Sequence, residues 1–197
     1  MSMHYLGKRI DIHTGGEDNM FPHHDCEIAQ SEAHTGEHYV SIWMHARHLL
    51  VDNTKMSKSL GNFHTVQSIL EMGYSGLELR YALTRVQYRQ SLSFTIKGLD
   101  EARAAIARVN EARKKLVRVR EGLDRAGGDE LDGAVAAAHD AFTAAMSEDL
   151  NVSEALAAVF DFVATVNRAA PAAAAVGPAL AAFNRFEDVL GVFGDEP

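Results

Sequence analysis

The chain has 197 residues, 47% of them hydrophobic, enough apolar material for the core of one large domain or two small ones. Its formal net charge is −8. A protein that grips nucleic acid by the backbone usually shows a positive face, so DNA binding and strong RNA binding are disfavoured. Cys26 is the single cysteine, which excludes an internal disulfide and fits a reducing, cytoplasmic setting. No apolar run is long enough to span a bilayer, and residues 1–9 lack the apolar core of a signal peptide.

Composition shifts near residue 100, from histidine, glycine and aromatics to alanine-rich segments. Residues 1–63 read as an α/β piece. Residues 8–13 suit a strand that enters a Gly-containing turn at Thr14–Asp18. Pro22 then opens a helix over about 23–33 that ends near Gly36, because a first-turn proline loses no hydrogen bond. Residues 39–51 supply further strand, and strand–helix–strand is the unit of a parallel sheet. Residues 64–98 form a connector. Thr65 caps a helix at 66–72, Ser75 precedes one at 77–86, and 88–96 reads as a polar loop.

From Lys97 the apolar positions recur three and four apart. Ile106, Val109, Ala112, Leu116, Val119 and Leu123 make one stripe, in a helix placed at 101–125. Val135, Ala138, Phe142 and Ala145 make a second, and Leu156, Phe160, Val163 and Val166 a third, capped by Asn151 or Ser153. A short fourth helix follows Pro178, with the alanine run 172–175 as a linker or frayed end. Short antiparallel connections make 99–197 a helical bundle, so the fold class is α/β followed by all-α, mostly helical overall. The first bundle helix carries Arg103, Arg108, Arg113, Lys114, Lys115, Arg118, Arg120 and Arg125, read either as a solvated face or as an RNA-backbone contact.

Three stretches carry chemistry. Lys55-Met56-Ser57-Lys58-Ser59, followed by Leu60-Gly61-Asn62-Phe63, sets two ammonium groups and several hydroxyls on one loop suited to a polyphosphate; the alternative is a solvated turn. Gly15 and Gly16 allow backbone to approach a ligand, or simply make a turn, and Asp18 offers a carboxylate to ribose hydroxyls. His23 and Glu27, four apart on a helix, project on one face as candidate metal ligands, with Cys26 beside them as a substitute donor. His13, His24 and His45 either line the same pocket or serve packing and surface roles.

The lysine loop spells the signature loop of class I aminoacyl-tRNA synthetases. Together with the stretch Asp11–Ser31, Trp43-Met44-His45, Arg80–Leu83, Tyr88-Arg89 and Asp149–Asn151, it resembles cysteinyl-tRNA synthetases over most of the chain. The resemblance implies the second half of a Rossmann-like nucleotide-binding domain (1–63), a connector (64–98) and a helical bundle (99–197). It implies ATP bound near Gly15, Gly16, Asp18 and the backbone of Leu49, with Lys55 and Lys58 as catalytic residues and Lys58 stabilising the pyrophosphate. It also implies a zinc on His23 and Glu27 whose other two ligands are cysteines. Those cysteines, and the His-x-Gly-His motif that works with the loop, are expected in a first half that this chain lacks. The expectation is a truncated synthetase-like chain with an ATP half-site, binding ATP and cysteine and incomplete by itself, with tRNA reached weakly through the bundle; a second reading has a partner chain supply the missing half. Two alternatives stand beside it: a partner-binding module with a vestigial ATP site, and a cysteine ligase acting on a small amine, as in mycothiol synthesis. The Leu60–Phe63 ending looks more like the tRNA enzyme.

Overall fold

The computed structural model describes residues 2–57 and 59–194. A short helix α1, Ser2–Leu6, precedes strand β1, Ile10–Gly16. An irregular helical turn, Met20–His24, with Phe21 extended inside it, leads into α2, Asp25–Thr35. Gly36 closes α2 in the left-handed conformation (φ 70°), where a side chain would be strained. Strand β2, Val40–Ala46, returns parallel to β1, with Ile10 opposite Val40 and Gly16 opposite Ala46. The expected strand–helix–strand unit is therefore formed, but β1 runs through Gly15 and Gly16 rather than turning at them.

The rest of the 39–51 segment goes elsewhere. Strand β3, Leu49–Val51, pairs antiparallel with β4, Thr54–Lys55, and parallel with β5, Leu92–Phe94. Strand β5 lies in the stretch expected to be a loop. Three residues are too few to show a period in sequence, but Phe94 is 6% exposed and buries the strand among its neighbours. Asp52 and Asn53 both have positive φ, 49° and 60°, the pair of left-handed residues that a two-residue hairpin turn demands.

Helices α3 (Val66–Glu71) and α4 (Gly76–Thr84) begin at Thr65 and Ser75, each of which accepts a bond from the third helical residue and completes a capping box. Helix α5, Ile96–Arg120, starts five residues earlier than expected, because Thr95 caps it by accepting from Gly98 N. Helices α6 (Asp132–Ser147), α7 (Val152–Arg168) and α8 (Ala173–Leu190) complete the bundle. The alanine run is the first turn of α8, not a linker: Ala175 and Val176 are buried, and that burial carries the helix through Pro178.

One apolar core joins Val51, Ile69 and Phe94 to the bundle, including Leu99, Leu116, Val159, Phe183 and Phe186. A second, small one holds Ile10, Tyr39 and Val40 with Ile28 and Trp43 packed against them. The polar face of α5 is largely spent inside the chain. Lys115 Nζ donates to the carbonyls of Val166, Asn167 and Ala169, at 2.9, 2.9 and 2.7 Å, and so caps the C-terminus of α7. Arg103 pairs with Glu78, Arg118 with Asp124, and Lys114 with Glu111. Arg113 is 5% exposed and donates to Gly194 O at 2.7 Å. No helix among the described residues is long and apolar enough to cross a membrane.

Candidate functional site

In parallel α/β sheets, ligands bind beyond the carboxyl ends of the strands. Here those ends are Gly16 on β1 and Ala46 on β2. Asp18 stands exposed just past Gly16. Arg47 and His48, just past Ala46, reach back to Glu17, Arg47 Nε lying 3.2 Å from Glu17 Oε2, so the two strand ends are tied together. Leu49 then opens β3.

The hairpin then turns back through β4 into the lysine loop. Lys55 pairs with Leu50, one residue from Leu49 and four from Ala46, and its side chain is exposed. Met56 and Leu49 line one cavity of about 110 Å³ with Val51, His64 and Ile69. Leu49 also borders a larger apolar cavity of about 360 Å³, with Met44, Leu83, Tyr88 and Leu150. Gly15, Gly16 and Asp18 thus stand at the carboxyl end of β1, while Leu49 and Lys55 lie at the start of the second, three-stranded sheet, three or more residues past the end of β2. Lys58 lies outside the described residues.

Asn62 sets the shape of the loop, and sequence reasoning passed it over. Its Oδ1 accepts from Ser57 N at 2.8 Å, while its Nδ2 donates to Thr54 Oγ1 at 3.0 Å and to Lys55 O at 3.3 Å. Ser57 Oγ in turn accepts from Leu60 N at 3.2 Å. One amide, with a donor and an acceptor, thereby closes both sides of the loop. The visible signal is Gly61-Asn62, with Gly61 at φ 68° turning the chain back.

Beside this end, on the face that α2 covers, lies a cluster of rings. His13, Gly15, Trp43 and His45 alternate onto that face. His24 is 6% exposed and its Nδ1 lies 2.8 Å from His45 Nε2. Trp43 packs on His13 and His24 with ring centroids 4.8 Å from each, and stacks on His45 at 6.0 Å. Burial, helped by the charge of His13, holds the His24 imidazole below its usual pKa and so favours its neutral form. Gly15 is required here: a Cβ would stand 2.8 Å from His24 Cε1 and 3.1 Å from Nε2. His13, His24 and Glu27 offer ligand atoms within 4.8 Å of one another. His23 and Cys26 are exposed, and no convergent group of three such donors among the described residues includes either.

A third feature joins the bundle to the connector. Asp149 accepts from Tyr88 Oη at 2.6 Å and from Arg89 Nε, and Gln87 Nε2 donates to its carbonyl at 3.1 Å. The bond from Arg89, then that from Tyr88, holds its carboxyl below the usual range. Asp149 and Leu150 both have positive φ, 51° and 55°, so this turn between α6 and α7 is held against its own preference.

The parallel β1–α2–β2 unit followed by a helical bundle is the architecture of a class I synthetase. Residues 1–104 match the family model "tRNA synthetases class I (C) catalytic domain", and residues 141–194 match the DALR domain. The chain belongs to the cysteinyl class I tRNA synthetase family. It is 47% identical over 167 residues to the cysteine–tRNA ligase of Protochlamydia amoebophila (strain UWE25), covering 85% of this chain and 34% of that protein. It is 40% identical over 200 residues to that of Koribacter versatilis (strain Ellin345), covering 100% of this chain and 40% of the relative. The chain therefore spans well under half the length of these relatives. In fold it is similar to the LeuRS chain in the crystal structure of the ternary complex of Agrobacterium radiobacter K84 agnB2 LeuRS-tRNA-LeuAMS, with a TM-score of 0.65 and 19% identity, covering 95% of this chain and 28% of that one.

Proposed function

We propose that this chain is the loop-bearing half of a cysteine-activating ligase site, binding ATP beyond the carboxyl ends of β1 and β2. The observation that carries the reading is the β3–β4 hairpin, which sets Lys55 beside Leu50, a few residues past the carboxyl end of β2 at Ala46. Gly15 and Gly16 admit the nucleotide backbone closely, Asp18 accepts from the ribose hydroxyls, and the backbone at Leu49 meets the base. Lys55 and Lys58 neutralise charge on the phosphates as cysteine attacks the α-phosphorus and pyrophosphate leaves. Asn62 holds the loop in shape for that contact.

Aminoacylation by a ligase of this family would need residues beyond these 197, supplied by a polypeptide that packs on the apolar face of β1 and β2. Ile12 and Ile42 stand opposite one another in register there and are 53% and 54% exposed. Parallel sheets are ordinarily covered on both faces, which supports a complementing partner. The acceptor is tRNA, consistent with the cysteine–tRNA ligases that the chain resembles, and contact through the bundle is weak, because Arg103, Lys114, Lys115 and Arg118 are engaged within the chain. The proposed units are 1–63, 64–98 and 99–197.

ATP–pyrophosphate exchange with cysteine tests the reading. The chain alone should show no robust exchange, and adding the amino-terminal portion of a cysteine–tRNA ligase should restore it. Robust exchange by the chain alone would sink the half-site reading. No exchange under either condition, with ATP still bound, would favour the binding-module alternative.

A further inference from the structure

Glu17 and Asp18 directly follow β1, so an anionic ligand arriving at that strand end meets two carboxylates. Arg47 follows β2, the neighbouring strand. Its backbone N–H donates to Tyr88 O at 2.8 Å, which fixes the main chain there, while its side chain is 55% exposed. The guanidinium meets Glu17 at one point, Nε to Oε2 at 3.2 Å, and His48 Nε2 stands 3.9 Å from Glu17 Oε1. Other arginines of the chain hold their acids differently. Arg118 donates to Asp124 at 2.8 and 2.9 Å, and Arg103 to Glu78 at 2.7 and 3.3 Å, each through two nitrogens. Arg47 forms no such hydrogen-bonded fork among the described residues. An exposed single-point pair contributes little to stability and is readily exchanged. A guanidinium fork, by contrast, matches the oxygens of a phosphate.

We propose that Arg47 is a phosphate-binding residue of the nucleotide site, held in reserve by Glu17: when ATP enters, the guanidinium leaves the Glu17 carboxylate for a phosphate oxygen. The inference rests on the reading that ATP binds beyond the carboxyl ends of β1 and β2. The exchange breaks no buried interaction, and Glu17 keeps the His48 ring beside it. It also answers the electrostatic problem of the site, because Arg47 is the cation that stands directly across from the Glu17–Asp18 pair. In the free chain it offsets Glu17; in the complex it offsets the ligand. Arg47 also borders the larger cavity beside Leu49, so a base seated there would touch the same side chain. Comparing ATP with adenosine separates contact with the phosphates from contact with the base.

Calorimetric titration of ATP and, separately, of adenosine into the intact chain tests this, with Lys58→Ala as the control for the nucleotide reading itself. Arg47→Ala should weaken ATP roughly tenfold, the scale of one charge-assisted hydrogen bond, and leave adenosine affinity unchanged. Arg47→Lys should recover part of the ATP affinity, since the charge returns without the fork. Glu17→Gln should tighten ATP about threefold, because the guanidinium no longer has a carboxylate to leave. A tie that only braced the two strands would move both substitutions the same way, so ATP affinity that is unchanged or lower in Glu17→Gln overturns the proposal. Equal weakening of ATP and adenosine in Arg47→Ala overturns it too, because Arg47 would then serve the base or the fold. If Lys58→Ala weakens ATP and Arg47→Ala does not, the phosphate role of Arg47 falls and the nucleotide reading stands. Absence of ATP binding by the wild type brings down both.

Discussion

The bundle and the β1–α2–β2 unit stand at opposite ends of packing. In the bundle, Val109, Ala112, Leu116, Val159, Val163 and Phe186 are completely shielded from solvent, and Phe142, Phe162, Phe183 and Phe186 interlock at ring separations of 4.8–6.4 Å. The β1–α2–β2 unit closes on little more than Ile10, Tyr39 and Val40, and leaves Met20, Phe21, Ile12 and Ile42 exposed. Yet the smaller unit holds Gly15, Gly16, Asp18, Glu27 and the ring cluster. Packing and motif-bearing residues thus fall in different parts of the chain, and Asp149 bolts the bundle to residues 87–89 of the connector.

Substitutions that separate the halves test that division. Phe186→Ala should cost about 3–5 kcal/mol and lower the main unfolding transition seen by helical circular dichroism. Tyr39→Ala should instead speed hydrogen exchange in β1 and β2 while leaving the bundle transition in place; a bundle that melts equally in both variants breaks the comparison. Lys115→Met uncaps α7 and leaves three carbonyls short of a partner, so a loss of about 2 kcal/mol is expected in denaturant unfolding. Any affinity for tRNA should be unchanged in that variant, and a fall would show that Lys115 serves RNA instead.

The bolt has a pH signature. Asp149 has a depressed pKa in the folded chain, so its contribution is present above the ordinary aspartate range and is lost as pH falls through the lowered value. Asp149→Asn should flatten the acid limb of the stability profile, and an unaltered limb would show that the turn does not depend on that charge. The smallest stability change is expected for Asn62→Ala, under about 1 kcal/mol because its partners reach water. ATP affinity should nevertheless fall roughly tenfold, since misplacing a reactive loop is costly out of proportion to its packing. Equal ATP affinity in that variant would remove Asn62 from the site.

The sequence carried the bundle well, because long amphipathic helices repeat their signal: the stripe through Val109, Leu116 and Val119 is the buried face of α5. The caps at Thr65 and Asn151 were equally legible, being local chemistry. Strand β5 was not, since a three-residue strand is defined by Val51 and Asn53 forty residues away. The alanine run looked like a linker because alanine bears no hydrophobic stripe of its own; its burial depends on partners that only the fold supplies. Within the site, the residue types and the strand-end location were readable from motifs. Which donors meet was not, because His13 and His24 converge with Glu27 through the strand register and the irregular turn at Met20–His24, neither of which helical spacing encodes.

The central claim is that these residues bind ATP through the strand ends and the lysine loop. Calorimetric titration of ATP into the wild type and Lys58→Ala tests it most directly. The account predicts measurable heat with the wild type and clearly weaker binding in the variant. No heat in either protein, or equal affinity in both, would contradict it.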